Sequence, residues 1–205
     1  MTKLKMRFFK YVSLSVLSML SLSFYILVDT YFISVAEGSN GIAALNISLP
    51  VYGILYGIGN MIGVGFSTRF KIKYDDYEEK CRIFSKGLFF AILISLLFMI
   101  MGIFFSHNIV YTLGARGDVL RLSNIYLKTI LSFAPAFILD CLLMSFIRND
   151  RNPSIVTAAV VSSSIFNCIC DYIFMFPMKM GIFGAAFATA IAPIVGIVEI
   201  GRAHV

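Results

Sequence analysis

The chain has 205 residues, of which 59% are hydrophobic and 14% charged, with a net charge of +6 and a mean hydropathy of +0.88. Soluble domains are about 45–50% apolar and about 25% charged, so this chain has too little polar surface to cover a water-soluble globule. The composition indicates an integral membrane protein and excludes a cytosolic enzyme, a nucleic-acid-binding module and a disordered tail. Because about 20 apolar residues span a bilayer, the length allows about six helices with short loops.

Charge runs and Gly/Pro clusters divide the chain into six apolar segments. In chain order they cover residues 11–36, 41–68, 87–106, 122–147, 154–176 and 180–198. Each segment is long enough to cross a membrane, and none alternates with the two-residue period of a barrel strand. The sequence therefore predicts an all-α integral membrane protein, a six-transmembrane-helix bundle over residues 1–198.

Basic residues are distributed unequally between the two ends of these segments. Twelve Lys and Arg residues fall at one side, within 3–10, 69–86 and 148–151. The other side has only Arg116, Arg121, Lys128 and Lys179. Under the positive-inside rule the amino terminus is cytoplasmic. We expect a multi-pass protein of the plasma (inner) membrane whose charge faces lipid and not nucleic acid.

No catalytic or metal-binding motif is recognisable in the chain. Cys168 and Cys170 are two residues apart, so they point to different sides of a helix, and His107 and His204 have no plausible ligand partners. Since no nucleophile–base pair or metal set is visible, we expect neither enzyme activity nor a cofactor.

Three carboxylates lie inside the apolar segments, where a charge is costly and marks a functional site by default. Asp29 and Asp171 are about 10 Å and about 8 Å from the predicted outer ends of their helices, at 1.5 Å per residue. Asp140 is about 27 Å from the outer end of its helix. We expect Asp140 to pair with Arg148 or Arg151 near the cytoplasmic face.

Further polar side chains share the layer of Asp29 and Asp171. Asn167 precedes Asp171 by one helical turn, Tyr25 precedes Asp29 by one turn, and Thr189 lies at a similar depth in the sixth segment. Together they offer oxygen ligands to a small hard cation, or a carboxyl group that binds a proton. The alternative is interhelical hydrogen bonding that only assists packing.

Two parts of the sequence resemble the MATE (multidrug and toxic compound extrusion) transporters. The first is VDTYFIS (28–34) with NGIAALNISLPVYGILYGIGNMIGVG (40–65), similar to helices 1 and 2 of that family. The second is FIRNDRNPSIVTAAVVSSSIFNCICDYIFMF followed by MGIFGAAFATAIAP, similar to its helix 4–5 loop and helices 5 and 6. RND-x-NP, N-x-x-x-D and G-x-x-GAA-x-AT occur in order, although Arg151 stands where the family usually has glycine.

The resemblance implies a twelve-helix antiporter of two six-helix lobes that exports drugs, often amphipathic cations, against the entry of Na⁺ or H⁺. Relatives with a cation site in the amino-terminal lobe bind the ion through a helix-1 Asp, an Asn and an Asp on helix 5, and a helix-6 Thr. Those positions match Asp29, Asn167, Asp171 and Thr189, with Tyr25 as a neighbouring contributor. The implied partners are the lipid bilayer, small-molecule drugs and a carboxy-terminal six-helix lobe that this chain lacks.

Two other functions stay open at this point. A lipid-linked saccharide flippase would line its lobe interface with several cations to hold pyrophosphate, and Lys128 is the one cation at hand. A non-transporting membrane scaffold would not need Asp29 and Asp171 in one layer.

Small residues, prolines and the last residues give further expectations. The G-x-x-x-G spacings Gly53–Gly57 and Gly59–Gly63 predict close packing within the bundle more strongly than dimerisation. Pro50, Pro135 and Pro193 permit bends in membrane segments. Residues 199–205, EIGRAHV, resemble translated sequencing-adapter read-through, so we expect a non-native tail there.

Overall fold

A computed structural model describes residues 3–72, 77–149 and 153–203 of the protein. Within these ranges the secondary structure is α-helical, and the all-α prediction is confirmed. The helices are α1 (Lys3–Ile72), α2 (Tyr77–Thr112), α3 (Gly117–Ser132), α4 (Ala134–Asn149), α5 (Pro153–Met175) and α6 (Gly181–Ala203). Lys73, Arg151 and His204 lie outside the described residues, as does the 150–152 part of the RND-x-NP motif.

α1 consists of two membrane crossings joined at a break in the backbone. Its 70 residues would extend about 105 Å as one helix, several times the thickness of a bilayer. The helical dihedral angles are interrupted at Gly38 (φ 64°, ψ −150°), a conformation that is essentially restricted to glycine. Residues 3–37 are called the first leg and residues 39–72 the second leg. They correspond to the first two predicted segments.

α2 packs on the bundle through a stripe of mostly small residues. Its buried positions recur every three or four residues and include Gly87, Ala91, Ser95 and Gly102. A Cβ atom on Gly102 would lie 2.3 Å from Leu131 Cβ of α3, so these helices approach more closely than any other residue permits. α2 has 36 residues and extends beyond the predicted segment 87–106 at both ends. The flanking residues 77–86 and 107–112 contain no proline, so the helix continues through them.

The fourth predicted segment, 122–147, is bent and not straight. α3 and α4 meet at Phe133 with their axes inclined by 51°. Pro135 lies in the first turn of α4, where its missing N–H leaves no helical hydrogen bond unmade. Pro50 and Pro193 lie inside α1 and α6 without such a break. When α3–α4 is taken as one bent span and the legs of α1 as two, the described residues contain six crossings.

One hydrogen bond at each end of the bundle shows which helix ends lie together. At one end, Lys71 Nζ donates a hydrogen bond to the Asn149 carbonyl, joining the second leg to α4. At the opposite end, the backbone N–H of Ile182 donates to Glu37 Oε1 at 3.0 Å, joining the first leg to α6. The helices therefore run up and down, and the predicted basic ends of the second leg and α4 lie at one end of the bundle.

Only one of the two G-x-x-x-G pairs in the second leg makes a helix contact. Gly59 and Gly63 pack on α4, where a Cβ atom on Gly63 would lie 2.6 Å from Ser145 Oγ. Cβ atoms on Gly53 and Gly57 would meet no atom within 4 Å. The expected packing within the bundle therefore holds for Gly59–Gly63, whereas the other pair lies on an open face.

The outside of the bundle is strongly apolar. Leu27, Met61 and Phe104 are 69%, 69% and 72% exposed, which suits contact with lipid or with another helix bundle. Residues 199–203 continue α6, and Ile200 is buried against Ile147 and Val156. The proposal of a non-native tail at 199–205 stays a prediction.

Candidate functional site

Three helices bring four polar side chains into one buried cluster. Asp29 comes from the first leg, Asn167 and Asp171 from α5, and Thr189 from α6. Their exposed fractions are 5%, 1%, 0% and 5%. The structure thus collects the residues that depth along the helices had placed in one layer, and it does so because the helices carrying them pack side by side.

Asn167 connects α5 to α6 within this cluster. The side-chain amide can be placed in two orientations. In the one that gives its nitrogen an acceptor and its oxygen a donor, the nitrogen donates to Asp171 Oδ2 at 3.1 Å. Its oxygen then accepts from Thr189 Oγ1 at 3.3 Å and from the Thr189 backbone N–H at 3.2 Å. Asn167 therefore fixes one oxygen of Asp171 and leaves the other free.

Asp29 and Asp171 lie close enough to interact electrostatically, although they come from different helices. Oδ1 of each carboxyl group is buried without a hydrogen-bond partner. Within the described ranges, no Lys or Arg side chain forms an ion pair with either group, and Lys128 points to the exposed side of α3. Two buried carboxylates without a counter-ion are costly, so the cluster is suited to bind a proton or a small cation.

Two tyrosines border the carboxyl groups. Tyr25, one turn before Asp29, lies beside Tyr52 of the second leg. Tyr126 of α3 is 5% exposed and lies beside Thr189, within electrostatic reach of Asp29. The sequence interpretation missed Tyr126, although its position near the outer end of the fourth segment gives it the depth of this layer.

A group of aromatic side chains lies between the cluster and the end of the bundle where Glu37 contacts Ile182. Phe32, one turn beyond Asp29, contacts Tyr172 and Phe176 of α5 with ring centroids 6.1 Å and 5.5 Å apart. Tyr172 and Phe176 also contact each other at 5.6 Å. These rings limit access to the carboxyl groups from the outer side.

The third carboxylate, Asp140, does not form the predicted ion pair with Arg148. Its Oδ1 atom is buried without a partner, while the Arg148 side chain is exposed. The two residues are eight positions apart on one helix, about 12 Å along its axis, which is too far for direct contact without a fold in the chain. The alternative partner Arg151 lies outside the described residues.

The described residues form a bundle of membrane-length apolar helices around a buried polar cluster, and the comparisons identify its family. The chain belongs to the MatE family, whose family model matches residues 15–173. It is 32% identical over 173 residues to the multidrug export protein MepA of Staphylococcus saprophyticus, covering 83% of this chain and 38% of that protein. It is 35% identical over 170 residues to MepA of Staphylococcus aureus (strain MRSA252), covering 82% and 38%.

Solved transporters share the fold. A MOP superfamily transporter from Pyrococcus furiosus matches with a TM-score of 0.85 at 23% identity, over 94% of this chain and 43% of that one. The MATE multidrug transporter DinF-BH matches with a TM-score of 0.86 at 25% identity, over 94% and 44%. The bundle thus matches one lobe of these transporters, and the chain spans about 38% of the length of its curated relatives.

Proposed function

We propose that this chain is the amino-terminal lobe of a multidrug efflux antiporter, which exports amphipathic, often cationic compounds against the entry of Na⁺ or H⁺. The observation that carries the proposal is the pair of buried carboxyl groups, Asp29 and Asp171, each with an oxygen that has no hydrogen-bond partner and with no counter-ion among the described residues. Family membership and the multidrug export relatives supply the substrate class.

In this proposal the bound cation changes how the first leg packs. When Asp29 and Asp171 are both ionised and dry, their repulsion opposes the contact between the first leg and α5. A proton or Na⁺ removes that repulsion and favours the packed arrangement. If the drug binds better to the other arrangement, the two ligands exchange across the membrane, because each shifts the same equilibrium.

Asn167 keeps a contact with Thr189 in either orientation of its amide, at 3.3 Å to the Thr189 hydroxyl group. The amide can therefore present its nitrogen to an ionised Asp171, or its oxygen to a protonated Asp171 or to a Na⁺ ion. Both coupling ions fit this arrangement, and the transport assay below separates them.

The test is drug efflux by the full-length transporter in membrane vesicles, with Asp29→Asn and Asp171→Asn compared with Asp118→Asn. Asp118 is the control because its side chain is 72% exposed and pairs only with Arg121 at the surface. We expect the two buried substitutions to abolish coupled efflux and the control to leave it intact. Efflux that is unchanged in Asp29→Asn would refute the role proposed for the carboxyl pair, whereas absence of efflux by the wild-type transporter would favour a scaffold. Varying Na⁺ at fixed pH then separates the two ions.

A flippase for lipid-linked saccharides is less well supported than a drug antiporter. Lys128 is the cation nearest the layer in sequence, yet it lies on the exposed side of α3. One cation in that position does not form the cluster that a pyrophosphate group requires.

We also propose that the transporter lies in the plasma (inner) membrane with its amino terminus in the cytoplasm. Cys81 is exposed near the start of α2, on the side rich in Lys and Arg, whereas Cys141 is buried. A membrane-impermeant thiol reagent is expected to label Cys81 only in inverted vesicles. Labelling of Cys81 in intact cells would reverse the orientation.

A further inference from the structure

A cavity begins beside Tyr25, Asn167 and Thr189, the polar neighbours of the Asp29–Asp171 pair, and leads towards the basic end of the bundle. The two carboxyl groups themselves lie behind these side chains and do not line the cavity. It has a volume of about 250 Å³ and lies between α1, α4, α5 and α6. Tyr25, Asn167 and Thr189 line it at one end, and Asp140 and Arg148 line it at the other. Its volume is sufficient for several water molecules, and the polar side chains within its mainly apolar lining, such as Tyr25, Asn60 and Asn167, offer them hydrogen-bond partners.

A second cavity continues the first one. It has a volume of about 120 Å³ and shares Asn60, Met144 and Arg148 with the larger cavity. It extends to Ser67 and Asn149, whose side chains are joined by a hydrogen bond of 2.9 Å. Both cavities together form a polar route from Thr189 to the end of the bundle where the second leg and α4 terminate.

Asp140 is the carboxylate that lines this route. Its buried Oδ1 atom has no partner and lies beside Gly196 of α6, where a Cβ atom would come within 2.9 Å of it. Any residue larger than glycine at 196 would therefore crowd the carboxyl group.

Among the residues that the structure describes, no ionisable group around Asp140 forms an ion pair with it. Tyr56 faces it from the second leg, and Cys141 and Arg148 line the cavity from its own helix. The first leg contributes Tyr25, further along the cavity. α5 contributes the hydroxyl groups of Ser163 and Ser164, which donate to carbonyls of their own helix, and the α6 residues that line the cavity have no ionisable side chain.

We propose that Asp140 is a proton-exchange site, which passes protons between the Asp29–Asp171 cluster and the cytoplasm through water in these cavities. The proposal rests on the proposed function, with a proton as the coupling ion. When the first leg moves and water from the cavity reaches the carboxyl pair, the proton leaves the Asp171 carboxyl group for a water molecule, and a water molecule of the same chain protonates the Asp140 carboxylate. Asp140 then releases the proton to water at the Arg148 end, so that charge and atoms balance at each transfer.

Depth explains why such a site is needed. Asp171 lies in the layer of Thr189, whereas Asp140 lies beside Gly196, which is seven residues or about 10 Å further along α6. Direct transfer between two carboxyl groups requires contact within hydrogen-bond distance. A carboxyl group part-way along a hydrated route divides the path into two shorter transfers.

The test uses the purified full-length transporter in liposomes, as wild type, Asp140→Asn, Asp140→Glu and the exposed control Asp118→Asn. The first readout is the rate at which added drug causes protons to appear on the cytoplasmic side. We expect Asp140→Asn to slow this rate by about 10²-fold, the lower end of what a positioned acid–base group contributes. Asp140→Glu should restore much of the rate, and drug affinity should not change. Wild-type proton release in Asp140→Asn overturns the proposal, as does equal loss of drug binding in both Asp140 variants, which indicates a structural role.

The second readout does not depend on transport. Infrared difference spectra between two pH values report protonated carboxyl groups, and the signal should shrink in Asp140→Asn but not in Asp118→Asn. If no protonated carboxyl signal is assigned to Asp140 at any pH, the proposal fails even when efflux is coupled to protons. If instead drug releases no protons in wild type and Asp29→Asn has no effect, the proposed function fails, and the infrared signal alone decides whether Asp140 binds a proton.

Discussion

Gly102 offers a quantitative test of the packing between α2 and α3. A Cβ atom there would lie 2.3 Å from Leu131 Cβ and 3.2 Å from the Leu131 backbone. Carbon atoms pack at about 3.5–4.0 Å, so Gly102→Ala forces the two helices apart by about 1.5 Å. Because the obstructing atoms are a Cβ atom and backbone, no side-chain rotation relieves the contact. The cost should reach the upper end of the overpacking range, about 3 kcal/mol.

Part of that cost is offset, because alanine is favoured over glycine in a helix by about 1 kcal/mol. The net loss is about 2 kcal/mol, or about 4–8 °C in melting temperature for a chain of this size. Gly57→Ala is the matched control, since its Cβ atom would meet nothing within 4 Å. Thermal unfolding measured in detergent should therefore show a lower melting temperature for Gly102→Ala than for wild type, and no lower one for Gly57→Ala. A Gly102→Ala protein that melts no lower than wild type would refute the close approach of α2 and α3.

Three further predictions concern polar contacts. Glu37→Ala removes the acceptor for the Ile182 N–H at the start of α6 and should lower the free energy of unfolding by about 0.5–2 kcal/mol, whereas Glu37→Gln should lower it less. Tyr126→Phe should raise the cation concentration for half-maximal efflux about threefold to tenfold, while exposed Tyr31→Phe leaves it unchanged; equal effects would exclude Tyr126 from the site. Ser18→Ala loses the 3.2 Å bond to α5 and should destabilise by about 1 kcal/mol. Thr30→Ala, which loses an exposed bond within its own helix, is the control and should unfold as wild type does.

The layer of polar residues could be predicted because helix geometry alone determines depth. A fixed rise per residue places Asp29, Asp171 and Thr189 at similar distances from the outer surface, whatever their neighbours are. Rotation about the helix axis is different, since it depends on which side chains pack together. For that reason Tyr126 was missed, although it lies at the depth of Asp29 and Asp171. For the same reason Lys128 could not be assigned to the exposed face of its helix.

The errors in the prediction also have physical causes. Hydropathy marks the part of a helix inside the membrane, so the solvent-facing turns of α2 were not counted. The pairing of Asp140 with Arg148 followed from nearness in depth and ignored the two turns between them. The break at Phe133 could not be placed, because Pro50 and Pro193 show that a membrane proline need not interrupt its helix.

The hydrogen bond from Ile182 to Glu37 determines how the first leg can move. Glu37 directly precedes Gly38, and a Cβ atom on Gly181 would lie 2.3 Å from the same Glu37 oxygen, so the outer end of the leg is held against α6. When the first leg tilts about this fixed end, each of its residues is displaced in proportion to its distance from Gly38. Asp29 is about 13 Å from Gly38 and Ser18 about 30 Å, so a tilt shifts Ser18 more than twice as far. A small displacement of the first leg at Asp29 therefore corresponds to a larger displacement at its amino-terminal end.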